Sequence, residues 1–268
     1  MLVPEVLMAE NNRPIIGIFV VLLVVVIAAF AWWWMGRGGD QEMQAVVPAT
    51  PTPAPVPTPS LEERLSAQLS GTTLSTSDAV VRELAAALSA NPKLAAWLVN
   101  EDLIRRFTAA VDNIAAGNSP ADQLEFLRPK KGFKVKSVSD GTFVIDPASY
   151  QRYDVVAAVV ASLDTEGTVA LYRELLPLID DAYAEISPPG KKFNDRLEKA
   201  FDQLLAAPVL DEPQEVEQLI VTYAWSDGEL EGLSAAQRQF LRMGPDNVST
   251  IQGKLGQIRA ALATPTPQ

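Results

Sequence analysis

Residues 14–36 form an uncharged and almost wholly apolar run, and no other stretch limits the architecture as strongly. At 1.5 Å rise per residue, about 23 residues make a helix of roughly 35 Å, enough to cross the hydrocarbon core of a bilayer with a little tilt. A buried core helix of this length would normally carry a polar face, and this run has none. Trp32, Trp33 and Trp34 close it where indole rings favour the headgroup level, and Arg13 and Arg37 bracket it. Ala29-Phe30-Ala31 fits the small-x-small pattern of a cleaved leader but lies inside the run. The sequence therefore predicts an uncleaved single-span anchor in a lipid bilayer, behind an N-terminal tail at residues 1–13.

Residues 37–59 follow as a linker, with proline at nearly every second position from Pro48 to Pro59. Proline fixes φ and removes donors, so this part is expected as extended polyproline II, a semi-rigid spacer of roughly 35 to 40 Å. Positive charge does not orient the span: Arg13 and the terminal amine nearly balance Arg37. The short tail before the span and the spacer after it favour a cytoplasmic N-terminus, with the C-terminal part exported.

From Ser60 onward about 210 residues remain, enough for one well-buried domain, expected at 60–263 with a frayed tail at 264–268. This part holds about 20 basic and about 29 acidic residues, near −9 of the chain's −11. A field of that sign opposes binding to nucleic acid. The chain has no histidine and no cysteine, which removes the usual zinc ligands and the common nucleophile-base arrangements. No calcium-loop spacing, phosphate loop or dinucleotide fingerprint occurs, and no cofactor is expected.

The periodicity predicts a mainly α domain. Ser60 and Glu63 form a capping box, and Asn91-Pro92, Ser119-Pro120, Asp146-Pro147, Asp154, Asp164 and Ser234 mark further helix starts. A helix from Glu101 should turn Leu103, Phe107, Val111 and Ile114 inward and end at Gly117. Val155 to Leu163, apolar nearly all round, is expected as the most buried helix. A longer helix from Asp164 carries Val169, Tyr172, Leu176, Ile179, Tyr183 and Ile186, with Pro177 inside it. Another is expected from about Asn194 to Ala206. The last helix carries Val248, Ile251, Leu255, Ile258 and Leu262, and Gly253 and Gly256 imply close packing or marginal stability there. Two segments change period. Phe133 to Val138 and Thr142 to Ile145 alternate around Asp140-Gly141 as a β-hairpin, and Val216 to Trp225 reads as one more strand beside it.

Two groups of residues are candidate interaction sites. Arg128, Lys130, Lys131, Lys134 and Lys136 form the one basic cluster of an acidic domain, read as an edge-protecting face or as a contact for anionic headgroups, cell-wall polymer or an acidic partner. Tyr150, Arg152, Tyr153 and Asp154 crowd a helix junction where the arginine could pair with a carboxylate or stack on a ring, and Arg242 should meet the carbonyl end of its own helix. Both arrangements read first as structural pinning. The carboxylates of Asp180-Asp181, Asp211-Glu212 and Glu229 with Glu231 lack the signature of an acid-base pair.

Several of these pieces occur together in a known order: Asp102-Leu103-Ile104-Arg105-Arg106-Phe107, Val111-Asp112-Asn113, Phe143-Val144-Ile145-Asp146-Pro147, Ser149-Tyr150-x-Arg152-Tyr153-Asp154, Ala161-Ser162-Leu163-Asp164, Ala170-Leu171-Tyr172, Phe193-Asn194-Asp195 and Arg242-Met243-Gly244-Pro245. Over about residues 77–262 the chain thereby resembles an uncharacterised family of proteobacterial membrane-anchored proteins, catalogued as domain of unknown function 3014. The resemblance implies a bacterial envelope protein with one N-terminal span and a soluble C-terminal domain. It brings no reaction and assigns no catalytic residue.

The expectation is a mainly α protein: one transmembrane helix, a Pro-rich linker and a compact multi-helix domain with a β-hairpin or three-stranded antiparallel sheet. Its function is read as a binding or scaffold module at the bacterial inner membrane, facing the periplasm, with a protein or cell-wall partner. An anchored carboxylate-dependent hydrolase acting on cell-wall polymer is the alternative.

Overall fold

The first described helix starts where the sequence places it, on Ser60, whose hydroxyl accepts from the Glu63 amide while the Glu63 carboxylate accepts from the Ser60 amide. The computed structural model describes residues 60–264 apart from 140, 212, 213 and 221. The predicted tail 1–13, span 14–36 and linker 37–59 lie outside the described residues, as do Asp140 of the predicted turn, Glu212 and residues 265–268. Among the described residues no single helix is long and apolar enough to cross a membrane.

Helix α1 (Leu61–Leu69) is followed by α2 (Asp78–Ala86), α3 (Pro92–Trp97) and α4 (Leu103–Ala115). Asn91 caps α3 with Pro92 in its first turn, and Gly117 ends the α4 segment at φ +78°. Strands β1 (Val135–Ser139) and β2 (Thr142–Ile145) precede α5 (Pro147–Tyr150), α6 (Asp154–Ala161), α7 (Thr165–Ala184) and α8 (Phe193–Leu205). Strands β3 (Glu215–Gln218) and β4 (Tyr223–Trp225) lead to α9 (Gly228–Glu231), α10 (Ala235–Leu241) and α11 (Pro245–Ala263). Among the described residues the sheet is a four-stranded antiparallel meander in the order β1-β2-β3-β4. The domain is thus mainly helical with a small antiparallel sheet.

Two hydrophobic clusters fill it. The first joins α1, α2, α4, α7 and the start of α8 around Phe193, which is fully buried. The second joins the sheet with α6, α10, α11 and the end of α8, around Ile145, Val216, Trp225, Leu241 and Val248. Helix α8 serves both, giving Phe193 and Ala200 to the first and Leu204 to the second.

Several sequence expectations are corrected. Residues 216–225 are not one strand. The chain reverses at 219–222, where the Leu219 amide donates to the Thr222 carbonyl, and Ile220 stands 98% exposed. Helix α6 is not the most buried helix: Ala157 and Val159 are buried but Val155 is exposed, because only one side of α6 is covered. Phe107 and Ile186 are exposed; α4 buries Val111 as expected, with Ile104 and Thr108 in place of Phe107. The Asp164 helix buries Leu171 and Leu175 rather than Tyr172 and Leu176, since both lines are apolar and packing selects one. Asp154 does not cap α6, whose N-cap is Tyr153. Gly253 and Gly256 face open space, not a close neighbour.

Candidate functional site

The basic stretch runs from the 3₁₀ turn Glu125–Leu127 into β1. Arg128, Lys130, Lys131, Lys134 and Lys136 are all exposed. Arg128 lies 4.0 Å from Glu125, and the Lys136 Nζ lies 3.6 Å from an Asp146 carboxylate oxygen. Among the described residues no carboxylate comes within 4 Å of Lys130, Lys131 or Lys134. Exposed pairs of this kind contribute little, so the positive charge of the stretch is largely left unneutralised among the described residues.

Beneath that stretch lies a clamp assembled from distant parts of the chain. Arg152 donates from Nε to the Ser149 carbonyl at 2.8 Å and from Nη1 to the Lys131 carbonyl at 3.0 Å. Its guanidinium sits over the rings of Phe133 and Tyr153, 5.5 Å from each centroid. Arg242 sits over Phe133 and Trp225 at 5.9 Å and donates to the Tyr223 carbonyl at 2.5 Å. One phenyl ring therefore carries two guanidinium groups, with Tyr223 tilted against it at 5.5 Å. Burial pushes the Arg242 guanidinium below its ordinary value; Arg238 adds to that and Glu231 opposes it.

Ser149, fully buried, locks the strand to the junction: its amide-accepting Oγ lies 2.7 Å from the Lys134 amide and donates to the Lys134 carbonyl at 2.8 Å. The Asn247 side-chain amide ties α11 to the same place, donating to the Tyr150 carbonyl, an Asp154 carboxylate oxygen and the Met243 carbonyl at 3.1, 3.0 and 2.8 Å. Gly244, at φ +89°, lets this turn approach Tyr150; a Cβ there would lie 2.5 Å from the ring. Burial raises the Tyr150 phenol above its ordinary value.

The sequence candidates thus fall into one assembly with two layers. Arg152 and Arg242 meet around Phe133, with Tyr153 against Arg152 and with Tyr150 and Asp154 tied to Asn247 at the same junction, and the five cations lie on the stretch next to it. Of the two roles open to Arg152, a carboxylate pair or a ring, it takes the ring, and adds two main-chain carbonyls. Arg242 reaches across to β4 and not to the end of its own helix, because Tyr223 presents an unpaired carbonyl beside the aromatic rings. Sequence reasoning named Ser149 only within the junction motif, without a role, and missed Phe133 and Asn247 as members. Their signals were local, an aromatic opening the strand alternation and an asparagine just after Gly244-Pro245, and neither named a partner.

Elsewhere, an open groove of about 480 Å³ is lined by Glu62, Glu63, Ser66, Ala67, Ser70 and Glu174. Among the described residues no group of three or more acidic side chains could hold a metal ion. Of the other acids singled out, Asp180 accepts from the Phe193 amide, and Glu231 accepts from the Trp225 amide and faces Arg238 at 3.6 Å.

Fold and site define a mainly helical domain that presents a clamped basic strand. The chain belongs to the family described as Protein of unknown function (DUF3014), whose model matches residues 103–259. No curated protein and no solved structure matches the chain. The matched segment begins with α4 and ends inside α11, so it contains the clamp, the basic stretch and the whole sheet but not α1 to α3.

Proposed function

We propose that this chain is a bacterial inner-membrane protein anchored through residues 14–36, whose C-terminal domain, carried into the periplasm on the 37–59 spacer, binds an acidic protein partner through residues 128–136. The observation that carries this reading is the pairing of five exposed cations with a rigid root: Arg152 holds the Lys131 carbonyl and Ser149 holds both main-chain groups of Lys134. A solvated face that served only solubility would need no such fixing. Local positive charge in a domain of opposite sign favours a partner small enough to sit inside a Debye length, about 8 Å at physiological salt, over a broad anionic surface. The hydrolase alternative gains less, since the Glu231 and Asp180 carboxylates are engaged by amides.

A photocrosslinking residue placed at Lys131 of the full chain in intact cells tests it, with the same residue at Lys93, an exposed position on α3, as the control. The expected result is a discrete protein adduct from position 131 that disappears when Lys130, Lys134 and Lys136 are changed to Glu. Identical adducts from both positions, or adducts indifferent to charge reversal, would contradict the reading.

A further inference from the structure

The two edges of the sheet are treated differently. In the β3/β4 ladder the Ser226 amide donates to the Glu215 carbonyl and the Leu219 amide to the Thr222 carbonyl. With Val216 opposite Trp225 and Gln218 opposite Tyr223, the alternation of an antiparallel ladder points the main-chain groups of Tyr223 and Trp225 outward. One group of each is taken by a side chain: Arg242 holds the Tyr223 carbonyl and Glu231 the Trp225 amide. Side chains thus already occupy part of that edge.

The other edge is open. The Asp146 amide donates to the Lys134 carbonyl, which fixes the phase of the β1/β2 ladder. With Val135 opposite Ile145 and Ser137 opposite Phe143, the amides and carbonyls of Val135 and Ser137 point away from β2. Among the described residues no side chain or main chain covers them. The neighbouring Lys134 and Lys136 side chains project from the opposite face to Val135, and both are exposed. Edge lysines repel a second basic edge, which guards against self-pairing, but they attract a strand with carboxylates at alternate positions. The irregularity between Ser137 and Ser139 limits the open ladder to a short segment.

Resting on the reading above, we infer that β1 is a strand-addition site: it pairs antiparallel with a short extended peptide of a partner protein that alternates acidic with apolar residues. The acidic side chains meet Lys134 and Lys136, and the apolar ones lie beside Val135. A lipid surface or an anionic polymer could answer the lysines, but only a peptide backbone offers donors and acceptors alternating at the spacing of the outward amides and carbonyls.

The test uses the full chain in neutral detergent and a fluorescent peptide of three Glu-Val repeats, read by anisotropy. Saturable binding is expected, lost when the valine amides are N-methylated and kept when the glutamate amides are. In an antiparallel pair the valines opposite Val135 and Ser137 make the hydrogen bonds. Lys134→Glu with Lys136→Glu should weaken binding about tenfold or more, and Ser137→Pro, which removes an outward amide without changing charge, should abolish it. Should Ser137→Pro fail to fold, the two methylated peptides still decide. Equal binding of both methylated peptides overturns strand addition, as does no saturation by about 1 mM. If charge reversal still abolishes binding in that case, the acidic-partner reading survives alone; if charge reversal changes nothing, both fall.

Discussion

Around Phe193 the domain is packed as a helical bundle, while around Phe133 it is held by guanidinium groups, a carboxamide and a serine. In the first region Phe193 is fully buried, with the Tyr183 ring edge-on at 5.7 Å and Phe107 tilted at the same distance. Its polar contacts lie at the margin, as with Arg196 on Asp112 at 2.6 Å. In the second, Arg152, Arg242, Ser149 and Asn247 hold the strand, both junctions and α11 together, each by hydrogen bonds to groups far away in sequence. Apolar burial is non-directional and tolerates sliding. Hydrogen-bonded carbonyls and stacked rings fix position, and it is position that the clamp gives to the basic strand.

This contrast predicts different responses to substitution. The largest effect belongs to the bundle: Phe193→Ala should cost about 3–5 kcal/mol by urea unfolding, since it removes a fully enclosed ring. A loss below about 1 kcal/mol would mean that this cluster relaxes freely, against the account. Next comes Gly244→Ala, expected to cost about 2–4 kcal/mol from a strained φ and the collision with Tyr150. The double variant with Tyr150→Ala should recover part of the loss, and strict additivity would break the proposed contact.

Alkaline titration probes both regions at once. Burial raises the Tyr172 phenol, reinforced by the Asp180 and Glu198 carboxylates, and its hydroxyl donates to the Asn194 side chain; burial raises Tyr150 as well. A folded value raised above the unfolded one, near 10, gives stability that is complete below that value and lost as pH rises through the folded one. Melting temperatures should therefore hold to about pH 10 and fall beyond it, with Tyr172→Phe and Tyr150→Phe each flattening the fall. The smallest effects are gains: Gly253→Ala and Gly256→Ala lie in helix α11 with open space at the added methyl, so each should stabilise by up to about 1 kcal/mol.

What was legible in the sequence divides along the same line. Caps at Ser60, Asn91, Asp146 and Ser234 could be read because each hydroxyl, amide or carboxylate meets a main-chain amide within three residues. The first hairpin was legible from its alternation. The reversal at 219–222 was not, since Leu219, Ile220 and Thr222 continue a strand-like pattern and no glycine, proline or asparagine marks the turn. The clamp was legible only as crowding: Tyr150, Arg152, Tyr153 and Arg242 stood out, but the partners lie 21 residues away for Arg152 and 19 for Arg242. No local rule selects a carbonyl at that separation. The basic cluster was visible by charge alone, whereas the phase that leaves Val135 and Ser137 open needed the register.

The most direct measurement is amide hydrogen exchange on the full chain and on Arg152→Leu, which leaves the Lys131 and Ser149 carbonyls without their donor. If the clamp positions the basic strand, exchange should accelerate selectively in residues 133–145, while α4, α7 and α8 keep their protection. Unchanged exchange in β1 and β2, or an equal loss across both regions, would contradict it.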